Sequence, residues 1–169
     1  MNEKIVQFNK KFLSSFFIIL ICFLLDRFSK IYVLKLFMEN EFRDHYVNSF
    51  LNLSLVWNSG IAFGLLKSES LFYHLISFFI LLIIIFICYL IFKAKHFFEV
   101  TLFSMIVGGA IGNVFDRFYY NAVPDFIDLH YGNFHWFTFN VSDICISIGI
   151  FLLIIFDILK FDKKEKKDE

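Results

Sequence analysis

Four aspartates, Asp116, Asp125, Asp128 and Asp143, lie in the stretch 108–143 of a chain that otherwise reads as lipid-soluble. An acid at hydrocarbon depth costs roughly 2.5–3.5 kcal/mol even on a lenient insertion scale, unless it is paired, hydrated or at work. Two of the four, Asp116 and Asp143, stand at the ends of apolar segments and imply a wet, polar pocket inside a membrane protein. Two carboxylates brought close together cannot both ionise easily, so they share a proton and their apparent pKa values separate. One acid of such a pair can draw a proton from a water while its protonated partner donates to the oxygen under attack.

Spacing gives these acids their companions. Asn113, Asp116 and Arg117 stand at i, i+3 and i+4, on one helical face. Asn140 and Asp143 are three apart, with Ser147 one turn further on; Asp143 is equally well placed to be a plain first-turn acid favoured by the helix dipole. Asp26 and Lys30 are four apart with the acid on the N-terminal side, so they can pair. That pair either neutralises itself at the interface or joins the pocket. Gly108 and Gly112 make a small-xxx-small step, whose ordinary role is to let another helix approach closely. Val123-Pro124-Asp125-Phe126-Ile127-Asp128 alternates as a short extended strand, which sends Asp125 and Asp128 to opposite sides and only one of them to the pocket. Asn58-Ser59-Gly60-Ile61-Ala62-Phe63-Gly64 reads as a turn, either a plain hairpin connection or a backbone free to approach a ligand.

The elements that must hold these residues follow from composition. Hydrophobic residues make up 59% of the 169, with 27 Phe and one Pro, which sets the chain apart from soluble domains. The length amounts to a single domain, 1–169, and a helix needs about 20 apolar residues to cross a bilayer, so only a handful of spans fit. The clearest is 71–92, which carries no formal charge and would run about 33 Å. The others are 12–37, amphipathic towards its end, 97–118 and 139–159, followed by the tail 160–169. The expected fold is an all-α membrane protein of four transmembrane helices, with a small extended or β subdomain built from the outer segments at about 38–70 and 119–138.

Orientation comes from the lysines, which precede the first span, join the second to the third and follow the fourth, whereas the outer segments carry only Arg43 and Lys67. The positive-inside rule then makes both termini cytoplasmic. On that topology Asp26, Lys30, Asp116, Arg117, Asn140 and Asp143 all fall near the outer ends of their helices. The first apolar run ends in no A-x-A-like site, and no small residue stands before Cys22 as a lipid-attachment box would require, so the run reads as an uncleaved signal anchor. A formal net charge of zero, with basic residues gathered at segment ends, argues against a nucleic-acid partner.

Five short motifs sharpen this reading. Asp26-Arg27-Phe28-Ser29-Lys30 looks like a D-x-x-[ST]-K box, and Asn58-Ser59-Gly60-Ile61-Ala62-Phe63 like N-x-G-x-A-[FW]. Gly108-Gly109-Ala110-Ile111-Gly112-Asn113-Val114-Phe115-Asp116-Arg117 looks like G-G-A-[LI]-G-N-x-x-D-R, Asp125-Phe126 like V-D-[FM], and Phe139-Asn140-Val141-Ser142-Asp143 like F-N-[LIV]-A-D. With these boxes in order over four spans, nearly the whole chain resembles the lipoprotein signal peptidases, also called signal peptidase II, the prolipoprotein-processing aspartyl proteases of bacteria.

The resemblance implies an intramembrane aspartyl endopeptidase of the bacterial cytoplasmic (inner) membrane, with its site near the outer face. It implies substrates that are prolipoproteins whose cysteine already carries diacylglycerol, cut just before that cysteine. By the same resemblance Asp125 and Asp143 are the catalytic pair, while Asn113, Arg117 and Asn140 position the pair or the substrate backbone. Asp26, Lys30, Asn58 and Gly60 would line the pocket, and Asp116 would act in support, because the adjacent Arg117 favours a structural salt bridge. No cofactor and no metal are implied; the partners are lipid-modified substrate and membrane lipid, with a monomer as the working form. Pro124, where an apolar β-former is common, and Ser142, in place of the usual Ala, depart from the family pattern without removing a functional group.

Other chemistries fit less well. Ser29 and Lys30 are adjacent and would point about 100° apart on a helix, so the lysine cannot readily act on that serine. The five histidines contain no H-E-x-x-H, and His130 and His135 have the wrong spacing for that motif, so no metal centre is expected. Cys22, Cys88 and Cys145 sit singly in three apolar spans, as small hydrophobes with no disulfide framework. Two non-enzymes compete with the peptidase. A small ion or proton carrier would spread polar residues over several depths, yet 71–92 offers only His74, Ser77 and Tyr89. A membrane assembly factor using the glycine face for packing would tolerate the loss of Asp143.

Overall fold

The computed structural model describes residues 2–60 and 70–168, and side chains within 9–60 and 74–160. In chain order the elements are α1 (Asn2–Glu39), β1 (His45–Asn48), β2 (Leu51–Asn58), α2 (Ser70–Lys93), α3 (Phe97–Tyr120), β3 (Val123–Tyr131), β4 (Phe134–Phe139) and α4 (Val141–Asp168). Four helical stretches are long and apolar enough to cross a membrane: Asn9–Glu39, His74–Lys93, Phe97–Tyr120 and Val141–Lys160. The four expected spans are therefore present. The fourth starts later than 139 because Phe139 ends β4 and Asn140 caps the helix: its side-chain oxygen accepts from the Asp143 N–H (3.1 Å), and Asp143 accepts in return from the Asn140 N–H (3.1 Å).

The bundle is apolar outside as well as inside. Phe16, Leu25 and Phe28 of α1, Phe79, Ile83 and Phe86 of α2, and Phe151 and Ile158 of α4 are all exposed, a surface suited to lipid rather than water. Close packing between helices then depends on small residues rather than on hydrophobicity. Helix α3 supplies them and packs against all three other helices. A Cβ at Gly108 would come 2.7 Å from Cys22 of α1, one at Gly109 would come 2.6 Å from the Ser142 carbonyl oxygen of α4, and one at Gly112 would strike both Ser142 and the Asp26 carboxylate. The expected packing role of Gly108 and Gly112 holds, and Gly109 shares it. On its other side α3 buries Val100, Val107, Ala110 and Val114 against Ile84 and Ile91 of α2.

The segments between α1 and α2 and between α3 and α4 form a four-stranded antiparallel sheet in the order β1-β2-β3-β4. The extended reading of 123–128 was correct but short, since β3 continues to Tyr131 and turns into β4 at Gly132, whose φ of 58° is one that glycine adopts without strain. The sheet is seated on α1 by Phe126, which packs with Val33 and Phe37, with Leu53 and Leu55 of β2 beside them. At the far end of the bundle, Lys11 of α1 donates to the Ala94 carbonyl (2.7 Å), just after α2, and Lys160 of α4 pairs with Glu99 (2.8 Å) in the first turn of α3. Lys11 and Lys160 thus mark one end of the bundle and the aspartate-rich motifs the other.

Candidate active site

Asp125 and Asp143 come together where the sheet meets the bundle. Asp125 sits on β3, opposite Val56 of β2, and is 4% exposed. Its two oxygens are separately held: Asn58, the last residue of β2, donates to one (3.0 Å) and Asn140 donates to the other (2.6 Å). The Asn58 side chain is itself fixed, since its oxygen accepts from the Gly60 N–H (3.0 Å). Asp143, in the first turn of α4, accepts from the Asn113 amide (2.8 Å) and from the Asn140 N–H (3.1 Å). Asn140 therefore touches both acids. Burial foremost, and then the charge of Asp143, push Asp125 up to about 6, while the Asn58 and Asn140 amides pull against that rise.

Beneath this pair lies a second network, in which every member is buried. Lys30 directs its ammonium at Asp26 (2.8 Å), Asp116 (2.6 Å) and the Asn113 oxygen (3.1 Å), one acceptor for each of its three donors. Arg27 pairs with Asp116 at 2.5 Å, reaches Asp26 at 3.3 Å, and lies over the Phe115 ring at 4.9 Å from its centroid. Two acids and two bases make a neutral quartet. Asp26 also accepts the Ser142 N–H (3.0 Å), which joins α1 to the start of α4. The two networks meet at Asn113: its oxygen faces Lys30, so its NH₂ must face Asp143.

Most of the residues singled out in the sequence are gathered here, with three refinements. Asp116 is salt-bridged as expected, but by Arg27 and Lys30 of α1, not by its neighbour Arg117; Arg117 instead donates to the Asn113 carbonyl (3.2 Å) and borders the groove below. Arg27 was passed over as a variable position of its box, although a second cation beside Asp26 in an apolar helix was a signal that could have found it. Asp128 points away from the pair and meets His135 (2.8 Å), in keeping with only one strand acid serving the pocket. Ser142 contributes its backbone N–H to Asp26, while its buried hydroxyl has no hydrogen-bond partner among the described residues and does not engage the acid pair. Pro124 stands opposite Trp57 of β2, beyond the point where β4 ends opposite Ile127, so its missing N–H falls where the strand has a single neighbour. Of the Asn58 motif, Ile61, Ala62, Phe63 and Gly64 lie outside the described residues, as does Lys67.

A groove with a volume of about 870 Å³ leads away from the acids. Asn58, Asn113, Asp125 and Asp143 line one end of it, and Trp136 and Phe137 of β4 stand along its border. The groove then runs between α2, α3 and α4 past Ile80, Ile87, Phe103 and Ile150 to Asp157, about 21 Å along α4 from Asp143. A polar, hydrogen-bonding head on an apolar trough fits a substrate that is part peptide and part hydrocarbon.

Residues 18–159 match the family model of signal peptidase (SPase) II, a range that includes every member of both networks. The lipoprotein signal peptidase of Pelagibacter ubique is 47% identical over 156 residues, covering 92% of this chain and 93% of that protein. That of Janthinobacterium sp. is 44% identical over 142 residues, covering 81% and 82%. Two solved bacterial membrane enzymes, both determined by the in meso method, are 27% identical to the chain. One has a TM-score of 0.72 and covers 92% of this chain and 93% of its own; the other has a TM-score of 0.66 and covers 84% and 90%. The chain belongs to the signal peptidase II family of membrane proteases.

Proposed function

We propose that this protein removes the signal peptide from diacylglyceryl-modified prolipoproteins by cutting just before the lipidated cysteine, with Asp125 and Asp143 as the catalytic pair. The observation that carries this reading is the bridging of the two acids by Asn140 at the head of an apolar groove, while Asp116 is already neutralised by Arg27 and Lys30. In this reading Asp125, buried between β2 and Asn140, holds the shared proton, and Asp143, half-buried at the head of the groove, is the base. Asp143 takes a proton from a water as the water oxygen bonds to the scissile carbonyl carbon, and Asp125 donates to the carbonyl oxygen. The tetrahedral adduct then collapses: the C–N bond breaks, the proton taken up by Asp143 passes to the leaving amine, and the proton lent by Asp125 returns to it. Asn113 and Asn140 hold both carboxyl groups through these steps, and the Asp26–Arg27–Lys30–Asp116 quartet holds Asn113.

The groove suits such a substrate because acyl chains can remain among the isoleucines while the peptide bond sits at the wet end. The gathering of Lys11, Lys93, Lys95 and Lys160 opposite the acids supports a topology with both termini cytoplasmic and the site near the outer face of a bacterial inner membrane. The reading takes 1–169 as one domain working as a monomer. Reconstituted in lipid, the protein is expected to cleave a diacylglyceryl-modified prolipoprotein and to leave the unmodified precursor essentially uncut over the same time. Equal cleavage of both would remove the lipid from the substrate definition, and cleavage of neither would contradict the assignment.

A further inference from the structure

A second cluster of ligating side chains lies near the tip of the β3–β4 hairpin, separate from both acid networks. Asp128 and His130 are two apart on β3, and His135 of β4 stands directly opposite His130. The ligand atoms of the three lie within 4.8 Å of one another. The Asp128 carboxylate is buried, its oxygens 2.8 and 3.1 Å from His135 Nδ1, and the two imidazoles stack with centroids 5.1 Å apart. Two buried atoms have no hydrogen-bond partner among the described residues: Nδ1 of His130 itself, and Oδ1 of Asn52, the residue paired with Asp128 on the neighbouring strand β2. Buried polar atoms in native proteins are nearly always satisfied, and leaving one unmet is destabilising.

A cation would satisfy both atoms at once, because a neutral ring nitrogen, an amide oxygen and a carboxylate are all lone-pair donors. We propose that Asp128, His130 and His135, with the Asn52 oxygen as a fourth ligand, bind a divalent transition-metal ion of the Zn²⁺ class. Two imidazoles with one carboxylate are a zinc-type donor set, whereas Ca²⁺ and Mg²⁺ favour oxygen throughout. Bound at His135 Nδ1, the ion replaces the contact with Asp128 and displaces any proton on that nitrogen to solvent. The His135 side chain is 52% exposed, which gives the ion a way in and the ring freedom to turn. The H-E-x-x-H test missed this arrangement because it presumes a helix; on a hairpin, positions 130 and 135 become cross-strand neighbours. Such an ion would join β2, β3 and β4, the strands that carry Asn58 and Asp125.

The test uses the full chain in lipid nanodiscs, with any purification tag removed and metals stripped by a chelator, titrated with Co²⁺ and then Zn²⁺. The expected result is about one equivalent of Co²⁺ with the visible absorption of a four- or five-coordinate site, displaced by Zn²⁺. His130→Ala, His135→Ala and Asp128→Asn should each abolish that absorption, and His96→Ala should keep it. Zn²⁺ should raise the thermal midpoint of the wild type and of His96→Ala but not that of the other three variants, each first checked for native circular dichroism. Absence of stoichiometric binding by the wild type, or the same binding in folded His130→Ala, His135→Ala and Asp128→Asn, would overturn the proposal.

Discussion

Asp125 is held in a site that favours its proton, and this has a consequence for stability that is separate from activity. Its carboxyl is raised from 3.8 to about 6, so the folded protein binds this proton more tightly than the unfolded chain does. The stabilisation it gives is fully present below about pH 4 and is lost as the pH rises through about 6. Asp125→Asn removes the titration, so the variant is expected to be more stable than wild type at pH 8, by up to about 3 kcal/mol for a shift of about two units, with no such gain at pH 4. Thermal midpoints at the two pH values check this. Ser142 gives a second prediction: its hydroxyl is buried without a partner among the described residues, so Ser142→Ala should leave cleavage intact and change stability by between zero and about +2 kcal/mol. Acids and amides such as Asp125, Asp143, Asn113 and Asn140 were legible in the sequence because their motifs keep fixed spacing. The salt-bridge partner of Asp116 was not. Arg117 is turned to the Asn113 carbonyl, and the cations that meet Asp116 come from another helix 86 and 89 positions away in sequence, a distance that no local pattern encodes.

Helix α3 converts sequence spacing into site geometry. Its glycines bring α1 and α4 near enough for Lys30 to span Asp26, Asp116 and Asn113, and for Ser142 to meet Asp26. The quartet is therefore a structural joint on which the orientation of Asn113 depends. Lys30→Met would leave two buried acids to Arg27 alone and is expected to cost about 3–5 kcal/mol, with cleavage reduced even in the folded fraction because Asn113 loses the contact that fixes its amide. Adding Asp26→Asn should recover part of the stability; chemical denaturation in micelles measures both. The four helices were legible because each is an apolar run long enough to span a bilayer, and that signal is strong. The sheet was only glimpsed. β1 is four residues long and wholly exposed, and β2 is followed in the sheet by a strand reached only after two helices, so their pairing rests on contacts that local alternation does not reveal.

Taken together, the bundle, the sheet and the groove give a protein that is polar at one internal point and apolar nearly everywhere else. That arrangement accounts for the composition: the exposed phenylalanines and isoleucines face lipid, and among the described residues the buried charges lie in one neutral quartet and one acid pair, with Arg117 and Asp128 besides. The groove was not legible in the sequence, because its walls come from three helices whose isoleucines look alike wherever they point. The central claim, that Asp125 and Asp143 perform the hydrolysis while Asp116 only supports them, is tested most directly by single-turnover cleavage of diacylglyceryl-modified prolipoprotein in nanodiscs. Wild type would be compared with folded Asp125→Asn, Asp143→Asn and Asp116→Asn. The first two variants are expected to give no detectable cleavage and the third slowed but measurable cleavage; cleavage that survives in Asp125→Asn and vanishes in Asp116→Asn would overturn the assignment.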